Sequence, residues 1–152
     1  MGEIDFRVPV PSAGGVVEVS VRSYQAESSS APCLILGHGA GAGHDSGFMV
    51  DFARALAARG VETVTFNFPY TEQRRRVGDR NDVLEACWRL VIAATRERLQ
   101  GRALFVGGKS MGGRIASQVV AGPEGSALAG GLVFVGYPLH PPGRPQQLRV
   151  AH

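Results

Sequence analysis

Ala103-Leu104-Phe105-Val106-Gly107-Gly108-Lys109-Ser110-Met111-Gly112-Gly113-Arg114-Ile115-Ala116 is the stretch that decides how this chain folds. A short apolar run, Ala103 to Val106, reads as a buried strand, and Ile115, Ala116, Val119 and Val120 continue at helical spacing until Gly122-Pro123. Between them Gly108-Lys109-Ser110-Met111-Gly112 fits G-x-S-x-G, a turn tight enough to present a serine hydroxyl bare at the C-terminal edge of a sheet. The flanking glycines let strand and helix approach. A glycine-rich turn with an idle serine is the competing reading, because a five-residue pattern is common. A phosphate-binding loop is disfavoured: G-x-x-x-x-G-K-S would need glycine where Ala103 stands, and Leu104 to Val106 is strand.

Working outward, the same alternation of strand, glycine and helix recurs. Cys33-Leu34-Ile35-Leu36 is a continuous apolar run, as in a strand covered on both faces, and opens into Gly37-His38-Gly39-Ala40-Gly41-Ala42-Gly43. Phe48, Phe52, Leu56 and Ala57 follow at helical spacing to Gly60, and Val61 to Phe68 is a second buried strand. Those phenylalanines and Trp88 are expected in the core, and Asp45 is a candidate cap for the first helix. Thr71 to Arg80 reads as a charged turn, after which Asn81 or Asp82 caps a long helix ending near Gly101. Leu132 to Val135 is a further strand, closed by Gly136-Tyr137-Pro138. At the other end, Ile4 to Val10 and Val16 to Tyr24 alternate apolar and polar residues about Pro11-Ser12-Ala13-Gly14-Gly15, as in an antiparallel pair. The expected fold is a single α/β domain over 1–152: three layers, a mostly parallel sheet and an antiparallel N-terminal edge.

Composition narrows the class. With 152 residues, 44% hydrophobic and 19% charged, the chain suits one globular domain with its own core. The net charge of +3 comes from arginines spread along the chain, every base but Lys109 being arginine, which gives no nucleic-acid footprint. Arg74-Arg75-Arg76 reads as a solvated loop. No apolar stretch approaches the roughly 18 residues of a membrane span, the N-terminus is acidic where a secretory signal is basic, and Cys33 and Cys87 sit inside apolar runs. A reducing, cytoplasmic setting is expected.

The glycine loop 37–43 has three readings, one of them a loop made flexible by glycine with no anion role. Gly37-His38-Gly39-Ala40-Gly41-Ala42 formally fits the dinucleotide fingerprint G-x-G-x-x-A, but the next strand ends in Asn67-Phe68-Pro69 without the acid that binds a ribose. It suits better the second half of a serine site. An oxyanion needs two preorganised N–H donors: Met111, after the serine, supplies one and Ala40 the other. His38, Gly39 and Gly41 are then candidates to line the substrate position, although hydrogen bonding that only shapes the loop is the competing role for His38 and for His44.

Taken together, Cys33 to Met49, Phe66-Asn67-Phe68-Pro69-Tyr70, Gly107 to Arg114 and Gly136-Tyr137-Pro138-Leu139-His140-Pro141-Pro142-Gly143 resemble the small α/β-hydrolases of the dienelactone-hydrolase-like group. More narrowly they are similar to bacterial relatives of the KANL/Tex hydrolase-like domains, found in an animal chromatin complex subunit and in a testis-expressed protein. The resemblance implies an eight-stranded sheet, esterase-type chemistry on small esters or related acyl compounds, and no cofactor or metal. The chromatin-associated relatives imply an alternative: a non-catalytic module that binds protein partners.

One part of that pattern does not fit. The family's triad runs serine, acid, histidine, and after Ser110 the sequence holds a single acid, Glu124, with His140 and His152. The helix from Met111 to Ala121 carries Glu124 roughly 15 Å from the serine. His140 lies on the correct edge and is a weak candidate base. The expectation is a C-terminally shortened hydrolase, its last strands missing, that retains the nucleophile and the oxyanion loop, is impaired in turnover, and exposes Leu132 to Val135 as an edge prone to self-association.

Overall fold

The computed structural model describes residues 2–152. Period-two alternation sets the first two strands, β1 (Glu3–Ser12) and β2 (Gly15–Tyr24), which pair antiparallel through the two-residue turn Ala13-Gly14. Then β3 (Cys33–Gly37), α1 (Gly47–Ala57) and β4 (Glu62–Phe66) form one strand-helix-strand unit. A one-turn helix, α2 (Pro69–Glu72), replaces the first residues of the expected charged turn, because Pro69 occupies a position where a helix needs no N–H. The long helix α3 (Asn81–Arg98), β5 (Leu104–Lys109), α4 (Met111–Ala121), the short α5 (Gly125–Leu128) and β6 (Leu132–Val135) complete the order.

The described residues form a six-stranded sheet ordered β1-β2-β4-β3-β5-β6. Strands β3, β4, β5 and β6 are mutually parallel, and the hairpin adds its antiparallel pair at the β4 side. Side chains of β3 show why the fold has three layers. Cys33 and Ile35 point into a core shared with Trp88, Val91 and Ile92 of α3 and Ile115, Ala116 and Val119 of α4, whereas Leu34 and Leu36 pack with Met49, Phe52 and Leu56 of α1. Trp88 is fully buried, edge-on to Phe66 at 4.8 Å between ring centroids, as its helical spacing predicts. Both cysteines are free and buried, and burial pushes the Cys33 thiol up to about 12.

Three local expectations are corrected. Neither Asp45 nor Asn81 nor Asp82 caps a helix: Ser46 and Arg80 hold the N-cap positions without side-chain cap bonds. Instead the Asn81 amide donates to Glu85 and Gln118, tying α3 to α4. Phe48 is not core. It is 40% exposed, stacked on Phe52 at 5.5 Å, because the first turn of α1 overhangs the edge of the sheet.

Candidate active site

Ser110 sits at the corner between β5 and α4 with φ 52° and ψ −117°, a conformation that costs an L residue energy and persists only where surroundings enforce it. The enforcement is visible. Its N–H donates to the carbonyls of Gly136 at 2.9 Å and Val135 at 3.2 Å, and its own carbonyl accepts the Arg114 N–H at 3.1 Å. A Cβ on Gly108 would lie 2.3 Å from the Gly37 oxygen and one on Gly112 2.2 Å from the same atom, so only glycine allows β3, β5 and α4 to meet here. The hydroxyl is thereby left at the C-terminal ends of the parallel strands, where open α/β sheets bind ligands.

The glycine loop runs directly against this corner: a Cβ on Gly39 would be 3.6 Å from Ser110 Cβ and 3.4 Å from the Lys109 carbonyl. Ala40 is exposed at the loop tip, and Gly41 turns the chain with φ 77°. Among the described residues, neither the Ala40 N–H nor the Met111 N–H donates a hydrogen bond. Two backbone donors therefore remain uncommitted beside one exposed-edge serine.

His38 shapes the loop from below. It is fully buried; Nδ1 donates to the Gly39 carbonyl at 2.8 Å and Nε2 accepts the Phe68 N–H at 3.3 Å, which assigns the neutral Nδ1–H tautomer. Burial holds its pKa down to about 4 against the pull of the Gly39 carbonyl. His44, also lowered by burial, meets Thr65 Oγ1 at 3.3 Å, and its N–H donates to Asn67 Oδ1 at 2.9 Å. Asn67 in turn donates to Glu72, whose carboxylate also takes the Ser20 N–H, the Ser20 hydroxyl and Arg7. Burial raises the Glu72 pKa, but these four donors outweigh it and hold the group below its usual range.

The remaining candidates lie elsewhere. Glu124 precedes α5, past the far end of α4. His140 is exposed with Nδ1 on the Pro141 carbonyl at 2.9 Å, and His152 Nε2 meets Ser117 Oγ at 2.6 Å. All four histidines of the sequence are thus engaged away from the Ser110 hydroxyl. Among the described residues no cluster of three His, Cys, Asp or Glu could hold a metal ion, and no helix is long and apolar enough to cross a membrane.

The family model described as an alpha/beta hydrolase domain matches residues 30–152. The chain belongs to the alpha/beta hydrolase family. Solved structures agree with this alpha/beta hydrolase fold. A thermostable carboxyl esterase from Bacillus coagulans is 18% identical with a TM-score of 0.67, over 86% of this chain and 43% of its own. A cold-adapted esterase from an Arctic intertidal metagenomic library is 19% identical with a TM-score of 0.67, over 87% and 59%. XC6422 from Xanthomonas campestris, described as a serine hydrolase without lid, is 18% identical with a TM-score of 0.66, over 89% and 62%. The chain thus spans between 43% and 62% of these hydrolases' lengths. No curated protein matches the sequence.

Sequence reasoning missed one neighbour of this alpha/beta hydrolase elbow. Lys109 Nζ lies 4.2 Å above the Phe48 ring, so the residue before the serine is pinned to the start of α1. A hydropathy pattern places Phe48 on the apolar stripe and gives no sign of that exposed partner.

Proposed function

We propose that this alpha/beta hydrolase domain carries the nucleophile and oxyanion half of a serine hydrolase of small esters or related acyl compounds, of the dienelactone-hydrolase-like kind. The observation that supports it is the strained Ser110 corner with the uncommitted N–H groups of Met111 and Ala40 beside it. Ser110 Oγ attacks the acyl carbon as its proton passes to solvent water, the carbonyl oxygen becomes an oxyanion held by those two donors, and the carbon–oxygen bond to the leaving group breaks as the carbonyl re-forms and the departing oxygen takes a proton from water to leave as the alcohol. Water then releases the acyl group from Ser110. The backbone of Gly39 and Gly41 flanks the acyl position, while His38 acts beneath the loop and holds its shape. The chemistry needs no cofactor, no metal, no nucleic acid and no membrane, and suits a cytoplasmic protein.

The Ser110 proton requires an acceptor, and each histidine is occupied elsewhere in the described residues. Turnover by residues 1–152 is therefore slow, with the oxyanion donors leaving only residual rate. That same observation favours a second reading, a non-catalytic module that binds protein partners. A fluorophosphonate probe separates them. Labelling of the wild type but not of Ser110→Ala supports an activatable serine; no labelling of either, with intact fold, supports the module.

The exposed apolar strand β6, with Phe134 45% and Val133 37% exposed, lies at the sheet edge and is proposed to pair with a second copy.

A further inference from the structure

Asn67 stands where β2, α2, α3 and the glycine loop meet. It follows the last residue of β4; its N–H donates to the Ser20 carbonyl at 3.0 Å, and its carbonyl accepts the Cys87 thiol at 3.8 Å. The side-chain amide uses both ends: Oδ1 accepts the His44 N–H at 2.9 Å, and Nδ2 donates to Glu72 Oε2 at 3.0 Å. The backbone therefore anchors Asn67 to the sheet, and the amide reaches from there to the far end of the glycine loop. We infer that Asn67 is a positioning residue for acyl transfer at Ser110, holding the loop where the Ala40 N–H meets the oxyanion. This role rests on the hydrolase reading above.

The loop is tied at two points, with Ala40 between them. His38 secures its start, bonded to the Gly39 carbonyl and to the Phe68 N–H. Asn67 secures its end at the His44 backbone. The approach is close: a Cβ on Gly43 would lie 3.2 Å from Asn67 Oδ1 and 3.3 Å from Thr71 Cγ2.

The partners also dictate which way the amide faces. A backbone N–H needs an acceptor and a carboxylate needs a donor, so Oδ1 turns to the loop and Nδ2 to α2. Glu72, itself held by Arg7 and Ser20, fixes the plane of that amide. Aspartate at 67 would keep the acceptor for His44 but set a second carboxylate against Glu72. Misplacing a group that stabilises the transition state by about 1 Å costs on the order of 10²-fold in rate.

The test follows fluorophosphonate labelling of Ser110 in the full, folded chain, separating affinity of the reversible complex from the rate constant of the labelling step. Amide NMR of the loop accompanies it. Asn67→Ala is expected to slow the labelling step on the order of tenfold or more, with affinity changed less than about twofold, and to shift the Ala40 and Gly41 amide signals. Asn67→Asp is slowed as well. Asn67→Asp combined with Glu72→Gln exchanges donor and acceptor across the pair, keeps the His44 bond, and is expected to recover labelling to within about threefold of wild type. A loss of bulk stability alone would give no such recovery, and the exchanged pair carries the test even if Asn67→Ala fails to fold. The inference is overturned if Asn67→Ala labels at the wild-type rate, if its loss lies in affinity alone, if the Ala40 amide does not move, or if the exchanged pair recovers nothing. Absence of labelling in the wild type removes the hydrolase reading and this role with it, whereas equal labelling of wild type and Asn67→Ala removes this role alone.

Discussion

Gly112 meets Gly37 backbone to backbone: a Cβ on Gly112 would stand 2.2 Å from the Gly37 carbonyl oxygen and 2.7 Å from that of His38. This contact sets the first turn of α4 against the loop that carries Ala40, and so fixes the distance between the two proposed oxyanion donors. Gly112→Ala must push the helix away. We expect a loss of about 3 kcal/mol or more in urea unfolding, the cost of overpacking rigid backbone. Gly47→Ala, with nothing within 4 Å of the added carbon, serves as the comparison and leaves stability unchanged or higher.

Ser110 holds a strained backbone conformation. With φ at 52°, replacing it by glycine removes the clash between Cβ and backbone, so Ser110→Gly is expected to raise stability by about 1 kcal/mol while abolishing fluorophosphonate labelling. Thermal melts of both forms check it; a Ser110→Gly protein that melts lower than wild type would show that the corner is not strained.

The pH dependence of stability follows from His38. Burial holds its pKa at about 4 in the folded chain against about 6.5 unfolded, so between those values the unfolded state takes up the proton and the folded state does not. The contribution is complete above pH 6.5 and falls away as pH drops toward 4, by roughly 3 kcal/mol in all. His44, lowered in the same direction, adds to the slope. The depressed carboxylates Asp5 and Glu72 are lost only at lower pH. Urea midpoints from pH 7.5 to 4 in wild type and His38→Gln should diverge, the variant giving the shallower slope.

The Arg102–Glu62 pair is buried, with side chains 16% and 4% exposed. Removing the cation strands a carboxylate in the core. Arg102→Ala is expected to cost about 3 kcal/mol, and Arg102→Ala with Glu62→Gln to recover part of it. Chemical denaturation of the wild type and both variants measures the recovery; none would mean that the Ser23 hydroxyl and the Ala26 N–H, which also donate to Glu62, alone satisfy it.

Pairing through β6 predicts a concentration-dependent dimer in sedimentation velocity at micromolar protein. Val133→Lys, on the 37%-exposed position of that strand, should return the chain to monomer. A wild type that sediments as a monomer throughout removes the proposal.

The architecture was legible where one signal dominates. Cys33 to Leu36 reads as strand because every residue is apolar, and the switch to helical spacing after Ser110 marks α4 correctly from Met111 to Ala121. Caps were not legible, since Asp45 and Asn81 are good cap residues that found better partners or none. Phe48 was misplaced because periodicity reports a helix face, not where the sheet beneath it ends. Glu62 and Glu72 were invisible for a different reason. Their partners, Arg102 and Ser20, lie 40 and 52 residues away, and only the fold brings them together.

Glu72 also changes what the N-terminal hairpin is for. Its carboxylate grips Ser20 of β2 and Arg7 of β1 on one side and Asn67 on the other, and Asn67 holds the backbone of His44 at the end of the glycine loop. The outermost ribbon of the molecule is therefore a guy-rope for its most delicate segment, and fraying at the first strand would be felt at Ala40.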